Sequence, residues 1–259
     1  MLFLHGVLRR WQDFLTLLPP LSTRWQCYAL DFRGHGGSGR TPGQYRVVDY
    51  VGDALETIRT QVDEPAVLYG HSLGAMVACA LAAAEPERVR AVVLEDPPFE
   101  TLGADIATTS FHSFFAGIQA LLATGEQSVE ALARGMAEIR VGPPGSVPAR
   151  LADLRDATQL RFSARCLVDL DPDVLAPLLE GSWLDSFDTD RVLAGVRCPA
   201  LLITGDYGSG GMLPADAAVR VSAQLEQCTR VHLPGVGHQI HWMHAETTLR
   251  LVTAFVESL

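Results

Sequence analysis

Gly70-His71-Ser72-Leu73-Gly74 stands between an apolar run, Ala66-Val67-Leu68-Tyr69, and a run of small residues, Ala75-Met76-Val77-Ala78-Cys79-Ala80-Leu81-Ala82. That order predicts a strand, a sharp turn and a helix, with Ser72 at the apex of the turn. A hydroxyl is a weak nucleophile until a base takes its proton, so a reacting serine has to be exposed and rigidly held. Gly70 and Gly74 let the backbone turn tightly around it. The N–H groups that open the following helix point to where negative charge develops during acyl transfer.

Outward from this turn, strand and helix alternate. Leu2–Leu4 reads as a buried strand running into the His5-Gly6 loop, and Gln26–Asp31 as a second strand closing on the glycine-rich Arg33–Gly39. Residues 49–62 place Val51, Ala54, Leu55, Ile58 and Val62 on one helical face. Ala91–Leu94 is a short apolar strand that closes on Glu95-Asp96-Pro97-Pro98. After Arg197 the rhythm resumes with a strand over Pro199–Thr204, a helix over Ala215–Leu225, a strand over Thr229–Leu233 and a helix over Ala245–Leu259. This is the pattern of an α/β fold with a mostly parallel central sheet and helices on both faces. Between Phe99 and Arg197 no strand is expected. Helical stretches at Phe111–Ala123 and Val129–Ile139 are broken by Gly142-Pro143-Pro144-Gly145 and by Asp171-Pro172. The expected organisation is a core at 1–98 and 186–259, interrupted by a helical insertion at 99–185.

His238, in Pro234-Gly235-Val236-Gly237-His238, follows the last strand as Ser72 follows an earlier one. Loops after the C-terminal ends of parallel strands are where ligands meet such sheets. An imidazole there can take the serine's proton and later return it to a leaving group. His241 and His244 complete an H-x-x-H-x-x-H run, but no carboxylate or cysteine cluster accompanies it, so no metal and no cofactor is expected.

Bulk properties bound the rest. In 259 residues, 48% hydrophobic and 19% charged, there is ample material for a core. A net charge of −10 argues against nucleic acid or an anionic membrane as partner. Cys27, Cys79, Cys166, Cys198 and Cys228 are odd in number and scattered, which reads as buried free thiols of a reducing compartment. Without a basic leader or a long apolar run, the expected location is cytoplasmic.

Five pieces in order carry a family resemblance: His5-Gly6, Asp31–Ser38, Gly70–Gly74, Leu201-Leu202-Ile203-Thr204-Gly205-Asp206, and Gly235–His238. Together they resemble the α/β-hydrolase fold superfamily, and the middle insertion resembles its variable cap. The resemblance implies a Ser–acid–His triad, with an oxyanion hole formed by the backbone N–H groups of Leu73 and Val7. Two departures stand out. Gly208 occupies the position where the family usually carries its acid, leaving Asp206 as an alternative; some members carry the acid after the preceding strand, which makes Asp96 the first candidate and Glu95 the third. The two strands usually found before the His-Gly loop have no counterpart, so either the sheet lacks its first hairpin or the start of the chain is incomplete. The implied activity is hydrolysis of a small-molecule carboxylic ester or lactone. The alternatives are hydrolysis of a carbon–carbon bond next to a carbonyl, and a catalytically weak hydrolase-like binding protein.

Overall fold

The computed structural model describes residues 1–259. Its strands, in chain order, are β1 (Leu2–Leu4), β2 (Tyr28–Leu30), β3 (Ala66–His71), β4 (Val89–Glu95), β5 (Arg140–Val141), β6 (Ala149–Arg150), β7 (Ala200–Thr204) and β8 (Cys228–His232). Six of them form one sheet in the order β2-β1-β3-β4-β7-β8, every neighbouring pair parallel, with helices around it. A parallel sheet covered on both faces calls for continuous apolar strands. Accordingly every residue of β1, β3 and β7 is buried, whereas edge strand β8 is exposed at three of its five positions.

The chain leaves β1 for β2 on one side and returns to β3 on the other. The strand order therefore reverses between β1 and β3, and the crevice outside their C-terminal ends is where such sheets bind ligands. The helix Leu73–Ala84 starts directly from this crevice and is buried along nearly its whole length. Its approach depends on two missing side chains. A Cβ on Gly74 would lie 1.9 Å from the Leu4 carbonyl oxygen, and one on Gly70 would lie 2.2 Å from the Gly74 carbonyl oxygen.

The helix Val47–Gln61 buries Val47, Tyr50, Ala54 and Ile58, a face turned toward Val47 and Tyr50 relative to the expected one; Val51 and Leu55 are only half-buried. The second expected strand shortens to Tyr28–Leu30, and the Asp31 carboxylate accepts a hydrogen bond from the Trp11 amide at 2.6 Å.

Packing divides the chain into two compact units. One comprises Met1–Phe32, Val47–Glu100 and Ser186–Leu259; the other comprises Arg33–Arg46 and Thr101–Asp185. The second unit holds its early segment through Tyr45, whose hydroxyl donates to Asp171 Oδ2 at 2.6 Å, and through the Asp171 amide, which donates to the Gly34 carbonyl at 2.8 Å. It is mostly helical, with helices at Ser110–Leu122, Val129–Glu138 and Ala157–Val168. The expectation of no strand there needs correction. β5 and β6 pair antiparallel, and the Gly142–Gly145 stretch that breaks the helical pattern is their turn, with Gly145 at φ 82°. All five cysteines are free, but only Cys79 and Cys166 are buried; Cys27, Cys198 and Cys228 are half-buried. No helix is long and apolar enough to cross a membrane.

Candidate active site

Parallel strands bring their C-terminal ends to one edge, and the residues singled out from the sequence follow those ends. Val7 comes after β1, Ser72 and Leu73 after β3, Asp96 after β4, Asp206 after β7 and His238 after β8. Backbone strain concentrates at the same edge. Of the four non-glycine residues with positive φ, three are Leu8 (63°), Ser72 (55°) and Asp96 (45°). Each such residue costs about 1–3 kcal/mol, and strain of this kind clusters where geometry serves function.

Ser72 sits at the junction of β3 and the helix Leu73–Ala84, with φ 55° and ψ −117°. Its amide donates to the Glu95 carbonyl at 2.9 Å, tying the turn to the end of β4. The residue is only 1% exposed, so the expectation of an exposed serine needs correction. The walls around it are close: a Cβ on Gly6 would lie 3.1 Å from the Ser72 Cβ. The amides of Val7 and Leu73 donate to no acceptor in the protein. Val7 lies in a loop, and Leu73 is the first residue of its helix, where an amide has no intrahelical partner.

His238 Nδ1 lies 2.7 Å from Asp96 Oδ2. The Asp96 side chain is fully buried and that of His238 is 17% exposed. Asp96 also accepts from the Met212 amide at 2.7 Å through Oδ2 and from the Gly205 amide at 3.3 Å through Oδ1. A carboxylate at Nδ1 places the imidazole proton there, which leaves the Nε2 lone pair available as a base. Asp206 is committed elsewhere: it accepts from the Gly208 amide at 3.1 Å, the Ser209 hydroxyl at 3.1 Å and the Gly235 amide at 3.3 Å. These donors, the Gly208 amide foremost, hold its carboxyl below the usual carboxylate range. It shapes its own turn and makes no bond to His238.

Glu95, next to Asp96 along the chain, bonds to a different histidine. His241 Nδ1 donates to Glu95 at 2.8 and 2.9 Å, and the His241 amide donates to Glu95 Oε1 at 2.9 Å. The Tyr69 hydroxyl donates to Glu95 Oε2. On its other side His241 Nε2 lies 3.4 Å from Asp13 Oδ2, and Asp13 in turn binds Arg9. All of these side chains are buried. Burial alone would lower the His241 pKa, but the Glu95 and Asp13 carboxylates outweigh it and raise it to about 9. Burial likewise opposes ionisation of Glu95, yet His241 and His71 bring it down to about 2. The group is thus a buried carboxylate–imidazolium–carboxylate array neutralised by Arg9, and burial of such charges is tolerable only when each is paired. His71, Glu95 and His241 offer ligand atoms within 4.8 Å of one another, a spacing a metal ion could use. Both Glu95 oxygens and His241 Nδ1 are already joined through protons, however, so the positive charge a metal would bring is supplied by His241 itself. His238 and His241 therefore serve different carboxylates. The sequence singled out neither Asp13 nor His71, because nothing local marks that Asp13 meets His241 and His71 meets His238, both near the far end of the chain.

A family model of the alpha/beta hydrolase fold matches residues 1–138. A 2-(acetamidomethylene)succinate hydrolase of Mesorhizobium japonicum is 30% identical over the whole of this chain and 88% of its own length. A pimeloyl-[acyl-carrier protein] methyl ester esterase of Neisseria meningitidis serogroup B is 27% identical over 98% of this chain and 91% of its own. Among solved structures, an E-2-(acetamidomethylene)succinate hydrolase superposes with a TM-score of 0.75 at 26% identity, covering 99% of this chain and 91% of that one.

Proposed function

The chain belongs to the α/β-hydrolase fold family and is a hydrolase, and from that premise we propose that it cleaves carboxylic esters or lactones through Ser72, His238 and Asp96. The reading is carried by one geometric fact: a serine at φ 55° and a His238 bonded at 2.7 Å to the buried Asp96 lie along the same sheet edge. Ser72 Oγ attacks the substrate carbonyl carbon as its proton passes to His238 Nε2. Asp96 holds the imidazolium that forms and does not itself take the proton. The tetrahedral oxyanion is received by the unpaired amides of Val7 and Leu73; a donor of this kind is worth about 10²–10³-fold in kcat. His238 then gives the proton to the departing alkoxide, leaving an acyl-enzyme. Finally His238 deprotonates a water that attacks the acyl carbonyl, the bond from the acyl carbon to Ser72 Oγ breaks, and His238 returns the proton to Oγ. The helical insertion at 99–185 is the part assigned to substrate selection.

A second substrate class is favoured by the similarity to the 2-(acetamidomethylene)succinate hydrolase, whose name denotes an amide-bearing substrate. The same steps cleave an amide if the nitrogen, rather than an alkoxide, takes the proton. The test is steady-state and burst kinetics on an aryl ester, a lactone, an N-acyl enamine and a vinylogous 1,5-diketone, with wild type and Ser72→Ala. We expect ester or lactone turnover with a pre-steady-state burst of one equivalent, and loss of both in Ser72→Ala. Turnover of the mutant within tenfold of wild type overturns the assignment, and turnover of the diketone alone moves it to carbon–carbon cleavage.

A further inference from the structure

His71, the last residue of β3, immediately precedes Ser72, and the mechanism above leaves it without a task. We propose that His71 is a positioning residue for the catalytic base, its Nε2–H holding the backbone carbonyl of His238 and its ring supporting the His238 ring. This rests on the assignment of Ser72 and His238 above and adds how the two are kept in register.

His71 Nε2 lies 3.1 Å from the His238 carbonyl oxygen. A carbonyl can only accept, so the proton is on Nε2. No backbone amide reaches that carbonyl, so His71 is what holds it. Neighbouring points of the loop are tied differently: the Asp206 amide donates to the Val236 carbonyl at 2.6 Å, and the Gly235 amide donates to Asp206 Oδ2. At the histidine itself, the tie runs to the residue bonded to the nucleophile. The two rings also pack together, with centroids 4.5 Å apart.

His71 is suited to the task because it cannot move or charge easily. It is buried, and a Cβ on Gly6 would meet its Nδ1 at 2.9 Å, so the loop after β1 closes one side. His241 stands edge-on at 4.9 Å between centroids. Burial lowers the His71 pKa to about 3; His238 and His241 push the same way, against Glu95 and Asp13. A neutral His71 keeps the tautomer with Nε2–H, and its bare Nδ1 finds no partner, 4.0 Å from Asp13 Oδ2. It also spares the positive charge that forms on His238 during catalysis a second positive ring packed against it.

The test compares donor-bearing with donor-lacking replacements. Glutamine places its Nε2 as many bonds from Cα as histidine does, so His71→Gln can still donate to the carbonyl. His71→Leu and His71→Met fill the space without a donor. Activity is expressed per active serine, titrated with a fluorophosphonate, in variants whose circular dichroism matches wild type. A misplacement of about 1 Å at a reacting group costs up to about 100-fold. We therefore expect kcat to fall roughly 10- to 100-fold in Leu or Met with KM changed less than about threefold, and Gln to recover most of it. Leu and Met variants within about twofold of wild type, or Gln impaired as deeply as they are, overturn the proposal. A second readout does not need turnover: the downfield proton resonance of the His238 Nδ1–H bond to Asp96. It should persist in Gln and broaden or vanish in Leu and Met; an unchanged resonance in all three overturns the proposal. A wild type that neither reacts with the probe nor turns over refutes the serine-hydrolase reading instead, and the resonance still decides on His71.

Discussion

Asp96→Asn separates two contributions of the carboxylate, its geometry and its charge. Asp96 Oδ2 accepts two bonds at 2.7 Å, from the Met212 amide and from His238 Nδ1, whereas Oδ1 accepts one at 3.3 Å from the Gly205 amide. An asparagine has one oxygen for these positions. If its NH2 faced Met212, two donors would meet at 2.7 Å. Turned toward Gly205, it sacrifices only the long bond. The amide oxygen therefore keeps its place at His238, and so does the proton on Nδ1. What is lost is the charge opposite the imidazolium that forms in the transition state. Two unit charges about 4 Å apart interact by about 4 kcal/mol at an effective dielectric of 20, which sets the ceiling near 10³-fold. We predict a fall in kcat/KM of about 10²–10³-fold, with the fold retained, measured on an aryl ester and expressed per titratable serine. A loss under tenfold would remove Asp96 from the chemistry. A loss beyond about 10⁴-fold would mean that the amide has turned the other way and reversed the His238 tautomer.

Gly74→Ala should destabilise the protein by about 3 kcal/mol or more, because the new Cβ meets backbone rather than a side chain that can yield. At about 2–4 °C per kcal/mol the melting temperature should fall by roughly 6–12 °C. Gly52→Ala, in the helix Val47–Gln61 with nothing within 4 Å, should raise stability by about 0.5–1 kcal/mol. Equal melting temperatures for the two variants would contradict the close approach of helix and β1. Denaturant unfolding against pH should show a maximum near the ordinary histidine pKa. Below 6.5 the unfolded state protonates His71 while the folded state does so only near 3, so stability falls as pH drops. Glu95, lowered to about 2, adds to that loss below 4.5. Above 6.5 the folded state keeps the His241 proton until about 9, so stability falls as pH rises. His241→Gln should flatten the alkaline limb, and an unchanged limb would refute the imidazolium assignment. Asp206→Asn should leave kcat/KM within about threefold of wild type, since its carboxylate bonds only within its own turn and to the Gly235 amide.

Much of the core was legible because a parallel sheet buried on both faces demands unbroken apolar runs. Leu2–Leu4, Ala66–Tyr69 and Leu201–Ile203 supply them, each followed by glycine or a polar turn. The same logic put Ser72 and His238 beyond strand ends. Asp96 came first as the acid only through what the family resemblance implies, with Asp206 and Glu95 beside it, because Gly208 carries no carboxylate and nothing local in Glu95-Asp96-Pro97 says which carboxylate meets His238. What stayed hidden depends on distant partners. The allegiance of Arg33–Arg46 rests on Tyr45 meeting Asp171, 126 residues away. The charged array rests on Asp13, Glu95 and His241 meeting inside an aromatic wall, with Phe14 5.3 Å from His241 between ring centroids. Two-residue strands such as β5 and β6 are too short for any hydrophobic period to reveal.

The central claim, an activated serine at position 72, is met most directly by intact mass after exposure to a small fluorophosphonate, on wild type and on Ser72→Ala. The account predicts one adduct on wild type and none on the mutant. A folded wild type that stays unlabelled, or a mutant that is labelled equally, would contradict it.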